Sequence, residues 1–233
     1  VRTAVYVDGF NLYYGVAKPL DCKWVDLEAY FERHFQNDDV RAIKFYEAIV
    51  LGNQGARQKS YLKALESSPK IAVKLGTMKE KRRSCRVGEC THSGARSYLD
   101  YEEKHTDVSI AIDIVDDTHL AAYDKIVVVT ADTDLLPAIQ LAKERRPQQK
   151  IALCVPALDK KRIFGAKELA VASDSFTRIN VELFLQCQFE EKFVDSQGVT
   201  HTRPKDWRKA PLTAAREWRQ ANRGRWINKL PNW

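Results

Sequence analysis

At 233 residues and 44% hydrophobic side chains, the chain has the material for one buried α/β core with an appendage. It holds no run of about 18 consecutive apolar residues, so no membrane-spanning helix is expected. The formal charge of +7 is concentrated at one end: residues 201–233 carry nine basic and two acidic side chains, leaving 29 of each sign in the first 200. A neutral body with a basic arm is the charge pattern of a polyanion-binding appendage. The opening VRTAVYVDGF lacks the charged, apolar, small-residue order of a signal peptide. Five cysteines, an odd number, suit reduced thiols, and a cytoplasmic location is expected.

In chain order, TAVYV at 3–7 is a short β-rich run that breaks at Asp8-Gly9 and predicts a buried strand entering a turn. Residues 26–35 show helical apolar spacing behind Asp26, a candidate N-cap. A second strand is predicted over 40–50, an amphipathic helix over 58–65, and a third strand over 71–75. Residues 76–98, rich in Gly, Cys and basic side chains, have no clear period and read as an irregular hairpin or loop inserted between core elements. A helix starts at Thr106, and KIVVVT at 125–130 is a continuous apolar run typical of a central parallel strand. Then come a helix over 135–143, a strand over 151–155, a helix over 165–172, a short edge strand over 177–180 and a helix over 181–185. The alternation predicts an α/β fold, with helices covering both faces of a mostly parallel sheet. A boundary is placed near 190, giving a domain over 1–190 and a basic, tryptophan-rich extension over 191–233.

In such a sheet ligands bind beyond the carboxyl ends of the strands. The first strand runs into Asp8-Gly9-Phe10-Asn11 and the central one into Thr130-Ala131-Asp132-Thr133-Asp134. If the two strands are neighbours, Asp8, Asp132 and Asp134 converge on one rim, with Asp107 reaching it from its helix start. Each aspartate taken alone is also an ordinary helix cap; the ordered set is what points to a site. Carboxylates crowded together need a cation to offset their repulsion. Oxygen-only ligands select a hard ion, Mg²⁺ or Mn²⁺, the kind that activates water and stabilises charge on a phosphodiester. Asn11 is a candidate helper that orients Asp8, holds a ligand water or contacts a phosphate. Asp113, six residues beyond Asp107, is rotated away along the helix and stays outside the cluster.

YVDGFNLYYG, EEKHTDVSIAIDI and VVVTADTDLLPAI resemble the three signature blocks of bacterial NYN domain proteins, the LabA-like branch of the PIN-like nuclease superfamily. The resemblance covers about residues 1–190. It implies a PIN-like three-layer sandwich and a metal-dependent endoribonuclease leaving 5′-phosphate and 3′-hydroxyl ends. Asp8, Asp107, Asp132 and Asp134 match the family's metal-binding acids and Asn11 its frequent asparagine, and homodimers are common for this kind of domain. Thr130, Ala131 and Thr133 depart from the usual Ser and Ser or Gly of the last block; Thr130 keeps the hydroxyl.

Outside the acids, MKEKRRSCR at 78–86 packs five basic residues into nine, and Lys81, Arg82, Arg83 and Arg86 are read as phosphate contacts, with Lys104 beside Asp107. Cys85, Cys90 and His92 supply three of the four ligands of a structural zinc site, so zinc is not expected. His105 reads as a solvent-facing neighbour of Asp107, and Cys154 as packing. The extension holds Trp207, Trp218, Trp226 and Trp233, with a helix expected over 213–222. Alternating Arg and Trp suits single-stranded RNA, and Trp218, Arg219 and Arg223 are its candidate contacts. Anchoring of Trp207 and Trp218 onto the body, or subunit contact, fits the same pattern. Two functions compete with the ribonuclease. One is an RNA-binding or regulatory adaptor that keeps the fold and cleaves little. The other, a phosphatase, is disfavoured because no second acid follows Asp8 at D-x-D spacing.

Overall fold

The computed structural model describes residues 1–91 and 93–222. Six strands form one sheet: β1 (Arg2–Asp8), β2 (Asp39–Glu47), β3 (Ile71–Leu75), β6 (Lys125–Val129), β7 (Lys150–Val155) and β8 (Ser175–Arg178), in the order β3-β2-β1-β6-β7-β8. Every pairing in this sheet is parallel. The chain leaves β1 in one direction to build β2 and β3, and later builds β6, β7 and β8 on the other side. The switch in direction therefore falls between β1 and β6, where a crevice opens at the carboxyl ends of the strands.

The strands are apolar because both faces are covered. Along β1, Val5 and Val7 point to one side, with Val127 and Val129 of β6. They pack against α2 (Leu27–His34), α3 (Asn53–Leu65) and α8 (Val181–Gln186) through Tyr30, Phe31, Leu62, Leu65 and Phe184. Ala4 and Tyr6 point to the other side with Ile126 and Val128. They meet α4 (Thr106–His119), α5 (Leu136–Arg145) and α7 (Lys167–Ala172) through Ile110, Ile114, Ile139 and Leu169. This is the expected three-layer α/β sandwich, consistent with a PIN-like architecture.

Several boundaries differ from the sequence reading. β2 stops at Glu47, three residues short, and α3 starts at Asn53, five residues early. The predicted helix over 165–172 is α7, beginning at Lys167, and a further short helix that was not expected, α6 (Lys160–Gly165), precedes it. The helix after β6 begins as a 3₁₀ turn, Thr133–Leu135. The segment read as irregular over 76–98 is a regular antiparallel hairpin, β4 (Thr77–Ser84) with β5 (Ser97–Lys104), whose stem runs six residues further. Between β1 and α2, α1 (Gly9–Leu12) continues into a π-helical turn over Tyr13–Ala17. A Cβ on Gly15 there would lie 1.7 Å from the Pro156 carbonyl oxygen, so only glycine lets this turn seat against the loop after β7.

Beyond the sheet, β9 (Lys192–Val194) and β10 (Thr200–Thr202) make a small hairpin, and α9 (Ala214–Ala221) closes the described chain. Ala210, Ala214 and Ala215 enter the core that also holds Val5 and Phe184, with Trp218 packed against it. Trp207 meets Trp24 and Tyr61 edge-on, at centroid distances of 6.5 and 6.2 Å. Trp207 and Trp218 therefore serve at least as anchors; Arg223, Trp226 and Trp233 lie outside the described residues. Among the described residues, no helix is long and apolar enough to cross a membrane.

Candidate metal centre at the carboxyl end of the sheet

Asp8 is the last residue of β1, aligned with Tyr46 of β2, and is 3% exposed. Its extended backbone caps α1: Oδ1 accepts the Asn11 N–H at 2.9 Å. Oδ2 accepts from Asn11 Nδ2 at 2.6 Å and from the Thr130 hydroxyl at 2.9 Å. Thr130 Oγ in turn accepts the Asp132 N–H at 3.0 Å, and Asn11 Oδ1 accepts the Ala131 N–H at 3.3 Å. Thr130 and Asn11 thus bind the loops after β1 and β6 into one hydrogen-bonded unit. Asp132 caps the 3₁₀ turn, accepting the Asp134 N–H at 3.0 Å. Capping and clustering prove compatible, because the cap fixes one carboxylate oxygen and the other oxygen keeps its lone pairs.

Asp107 enters from the first turn of α4, behind His105 in a left-handed conformation (φ 78°). Carboxylate oxygens of Asp107, Asp132 and Asp134 all lie within 4.8 Å of one another. The structure brings these three predicted ligands together. Asp8 is not one of the trio; it accepts one hydrogen bond at Oδ1 and two at Oδ2 from Asn11 and Thr130, and its charge helps to raise Asp107.

The electrostatics mark this as a strained group of acids. Burial, then the charges of Asp8, Asp132 and Asp134, push Asp107 up to about 6. Burial raises Asp8 as well, against the hydrogen bonds from Asn11 and Thr130. Two further acids escaped the sequence reading. Glu103, at the end of β5, is pushed up to about 7 by burial and by the charges of Asp8 and Asp107, although Thr106 donates a hydrogen bond to it. Glu47, at the end of β2, is raised well above the carboxylate range by burial and by Glu103 and Asp8. Gly9 allows this crowding: a Cβ there would lie 2.6 Å from the Tyr46 carbonyl oxygen and 2.8 Å from Glu47 Oε2. Placing the end of the second strand at 50 hid Glu47; ending it at 47 puts the acid on the same rim as Asp8. An oxygen-only donor set this crowded fits a hard divalent cation.

The other candidates are dispersed. Lys81 and Lys104 pair with Glu102 at 3.3 and 2.9 Å, and Arg83 pairs with Asp100. Side chains alternate across the hairpin, so Arg82, opposite Leu99, shares a face with Glu103, whereas Lys81 and Arg83 lie on the other. Arg86 is exposed in the hairpin's tip. Trp218 packs against the core and Arg219 pairs with Glu182, so both are committed to the body. His105 Nδ1 lies 3.1 Å from the Thr77 hydroxyl. Asp113 is outside the cluster, as expected: it pairs with Lys74 at 2.5 Å and takes the Tyr46 hydroxyl's hydrogen bond. Burial alone raises Asp113, but these partners outweigh it and hold the group low. Cys85 and Cys90 belong to no metal-ligating group among the described residues, and His92 lies outside them. An open hollow of about 640 Å³ joins Asn11, Ala131 and Asp132 to Asp159, Lys161 and Arg162. The last two add cations beside the acids that the sequence reading gave no role.

A parallel α/β sandwich with carboxylates clustered at its switch point defines a class of fold suited to holding a hard cation at that rim. The NYN domain model matches residues 2–180, and the chain belongs to that family. It is similar to the 6-hydroxy-3-succinoylpyridine 3-monooxygenase HspA of Pseudomonas putida (strain DSM 28022 / S16), with 26% identity over 224 residues, covering 81% of this chain and 70% of that protein. Among solved structures it is similar to a protein of unknown function from Vibrio parahaemolyticus RIMD 2210633. That match has 16% identity and a TM-score of 0.46, covering 77% of this chain and 93% of the other.

Proposed function

We propose that this chain is a metal-dependent endoribonuclease that hydrolyses phosphodiester bonds in single-stranded RNA. The observation that carries the reading is the meeting of Asp107, Asp132 and Asp134 within 4.8 Å at the switch point of an NYN fold. These three would hold Mg²⁺ or Mn²⁺, which supplies an acidified water and offsets charge on the phosphate. Asp8, fixed by Asn11 and Thr130, adds negative charge beneath them and locks the two loops. Glu103, at the end of β5, is a further carboxyl beside the cluster and a candidate proton carrier for the attacking water or the leaving oxygen. Lys161 and Arg162, which share the open hollow with Asp132, suit the phosphates beside the scissile bond, and Arg82, on the hairpin face that carries Glu103, suits one further along the strand.

The test uses a circular single-stranded RNA with Mn²⁺, which only an endonuclease can open. Asp132→Asn should cut the rate by at least about a hundredfold while the chain stays folded; undiminished cleavage by the variant sinks the assignment. A second reading, a small nitrogen heterocycle as substrate, is favoured by the similarity to a protein whose name specifies a substituted pyridine. RNA left intact under all metal conditions, with such a heterocycle consumed, selects it.

A further inference from the structure

A second hollow, of about 270 Å³, is lined by α1, the π-helical turn, β2 and α3, and Glu47 of the acid group stands in its wall. It has the opposite character from the metal cleft. Its walls are rings: Tyr13 and Tyr14 meet edge to face at 5.0 Å, Phe45 meets Tyr61 at 6.4 Å, and Tyr61 meets Trp207 at 6.2 Å. An aromatic lining of this kind offers a ring edge-to-face or offset contacts. The size is just below the roughly 300 Å³ at which small-molecule pockets begin, which suits one ring system and not an extended ligand.

We propose that this pocket binds a planar nitrogen heterocycle bearing a negatively charged substituent. The polar part of the lining requires the heteroatoms. The Glu47 carboxyl, 7% exposed, and the Gln58 amide both face the pocket. Gln58 donates to the Ala48 carbonyl and to the Glu47 carboxyl and accepts the Val50 N–H, leaving one acceptor site for a donor on the occupant. A hydrocarbon ring would strip water from these groups and return nothing, whereas ring nitrogens, oxo or amino groups pair with them. The negative substituent is suited to the rim, chiefly to Lys18. Lys18, seated over the Tyr14 ring at 4.8 Å, Lys23 and Arg57 all line the opening. Lys23 and Arg57 are each balanced by an exposed aspartate, Asp21 and Asp206.

Tyr14 lines both this pocket and the hollow beside Asp132, so an occupant sits one side chain away from the acids. The same ring chemistry has two sources: a base of a strand whose phosphate lies at the carboxylates, or a free heteroaromatic acid. Only the first rests on the ribonuclease reading. The wall completed by Trp207 also gives the C-terminal segment a part in recognition, through a built pocket and not through its charge.

The full chain, in EDTA, is titrated with UMP, AMP and nicotinate by calorimetry and tryptophan fluorescence. Saturable binding of at least one probe at about millimolar or better is expected. Gln54→Trp, which fills the mouth from an exposed position on α3, and Tyr61→Ala should each weaken it by about tenfold or more. Nucleotides alone binding assigns the pocket to a strand's base, and nicotinate binding assigns it to a free acid. No saturable binding of any probe, or binding that neither pocket variant weakens, overturns the proposal. Cleavage of RNA with Mn²⁺ is scored separately: ring binding without cleavage rejects the ribonuclease and keeps the pocket, and cleavage without ring binding does the reverse.

Discussion

Asp107 and Glu103 hold protons in the folded chain that their unfolded counterparts release at lower pH. Their values rise from 3.8 to about 6 and from 4.5 to about 7. Between those limits the folded state binds more protons than the unfolded one, so their contribution to stability is present at acid pH and is lost as pH climbs through about 6 and 7. Ion pairs elsewhere slope the other way, since Asp124 and Asp174 are held below their ordinary values. The comparison that isolates the cluster is therefore with Asp107→Asn. In EDTA, the native chain should lose Tm relative to that variant as pH is raised from about 4.5 to about 7.5, and Mn²⁺ should restore it. A constant difference across that range contradicts the electrostatic account.

At the scale of elements, the β4–β5 hairpin explains why part of the molecule was illegible in the sequence. Periodicity reveals a strand when one face is buried, and β4 is exposed at nearly every position. Eight backbone pairs and cross-strand ion pairs hold it instead. The central strands were legible for the opposite reason: β1 and β6 are buried on both faces, and their apolar runs end where the acids begin. Glu47 was lost because a run of β-branched and aromatic residues continues past it to Val50, masking the point where pairing stops. The hairpin also separates its cations by face. Arg82→Glu, on the face shared with Glu103, should weaken binding of single-stranded RNA and lower the salt slope by about one. Lys81→Glu, already paired with Glu102, should do less. Equal effects of the two, measured by fluorescence anisotropy across salt, would show that the hairpin's facing does not matter.

For the molecule as a whole, the basic end is not a free arm along the part described. Trp207, Ala210, Ala214, Ala215 and Trp218 pack into or against the layer that covers Val5 and Val7. Net charge distinguished this segment in the sequence but carries no information on packing, and the small buried residues Ala210, Ala214 and Ala215 give little periodic signal. Ending the chain at residue 203 should therefore lower Tm by several degrees as well as remove charge; an unchanged Tm would show that these contacts add nothing. Reversing exposed charges at Arg208, Lys209 and Arg216 tests RNA binding without that loss of packing.

The most direct measurement of the central claim is Mn²⁺ binding to the folded chain, followed by calorimetry and by the loss of the free-ion paramagnetic signal. Asp107→Ala, Asp132→Ala and Asp134→Ala should each abolish or severely weaken binding, while Asp113→Ala, outside the cluster, should leave it unchanged. Full-strength binding in all three cluster variants would contradict the account.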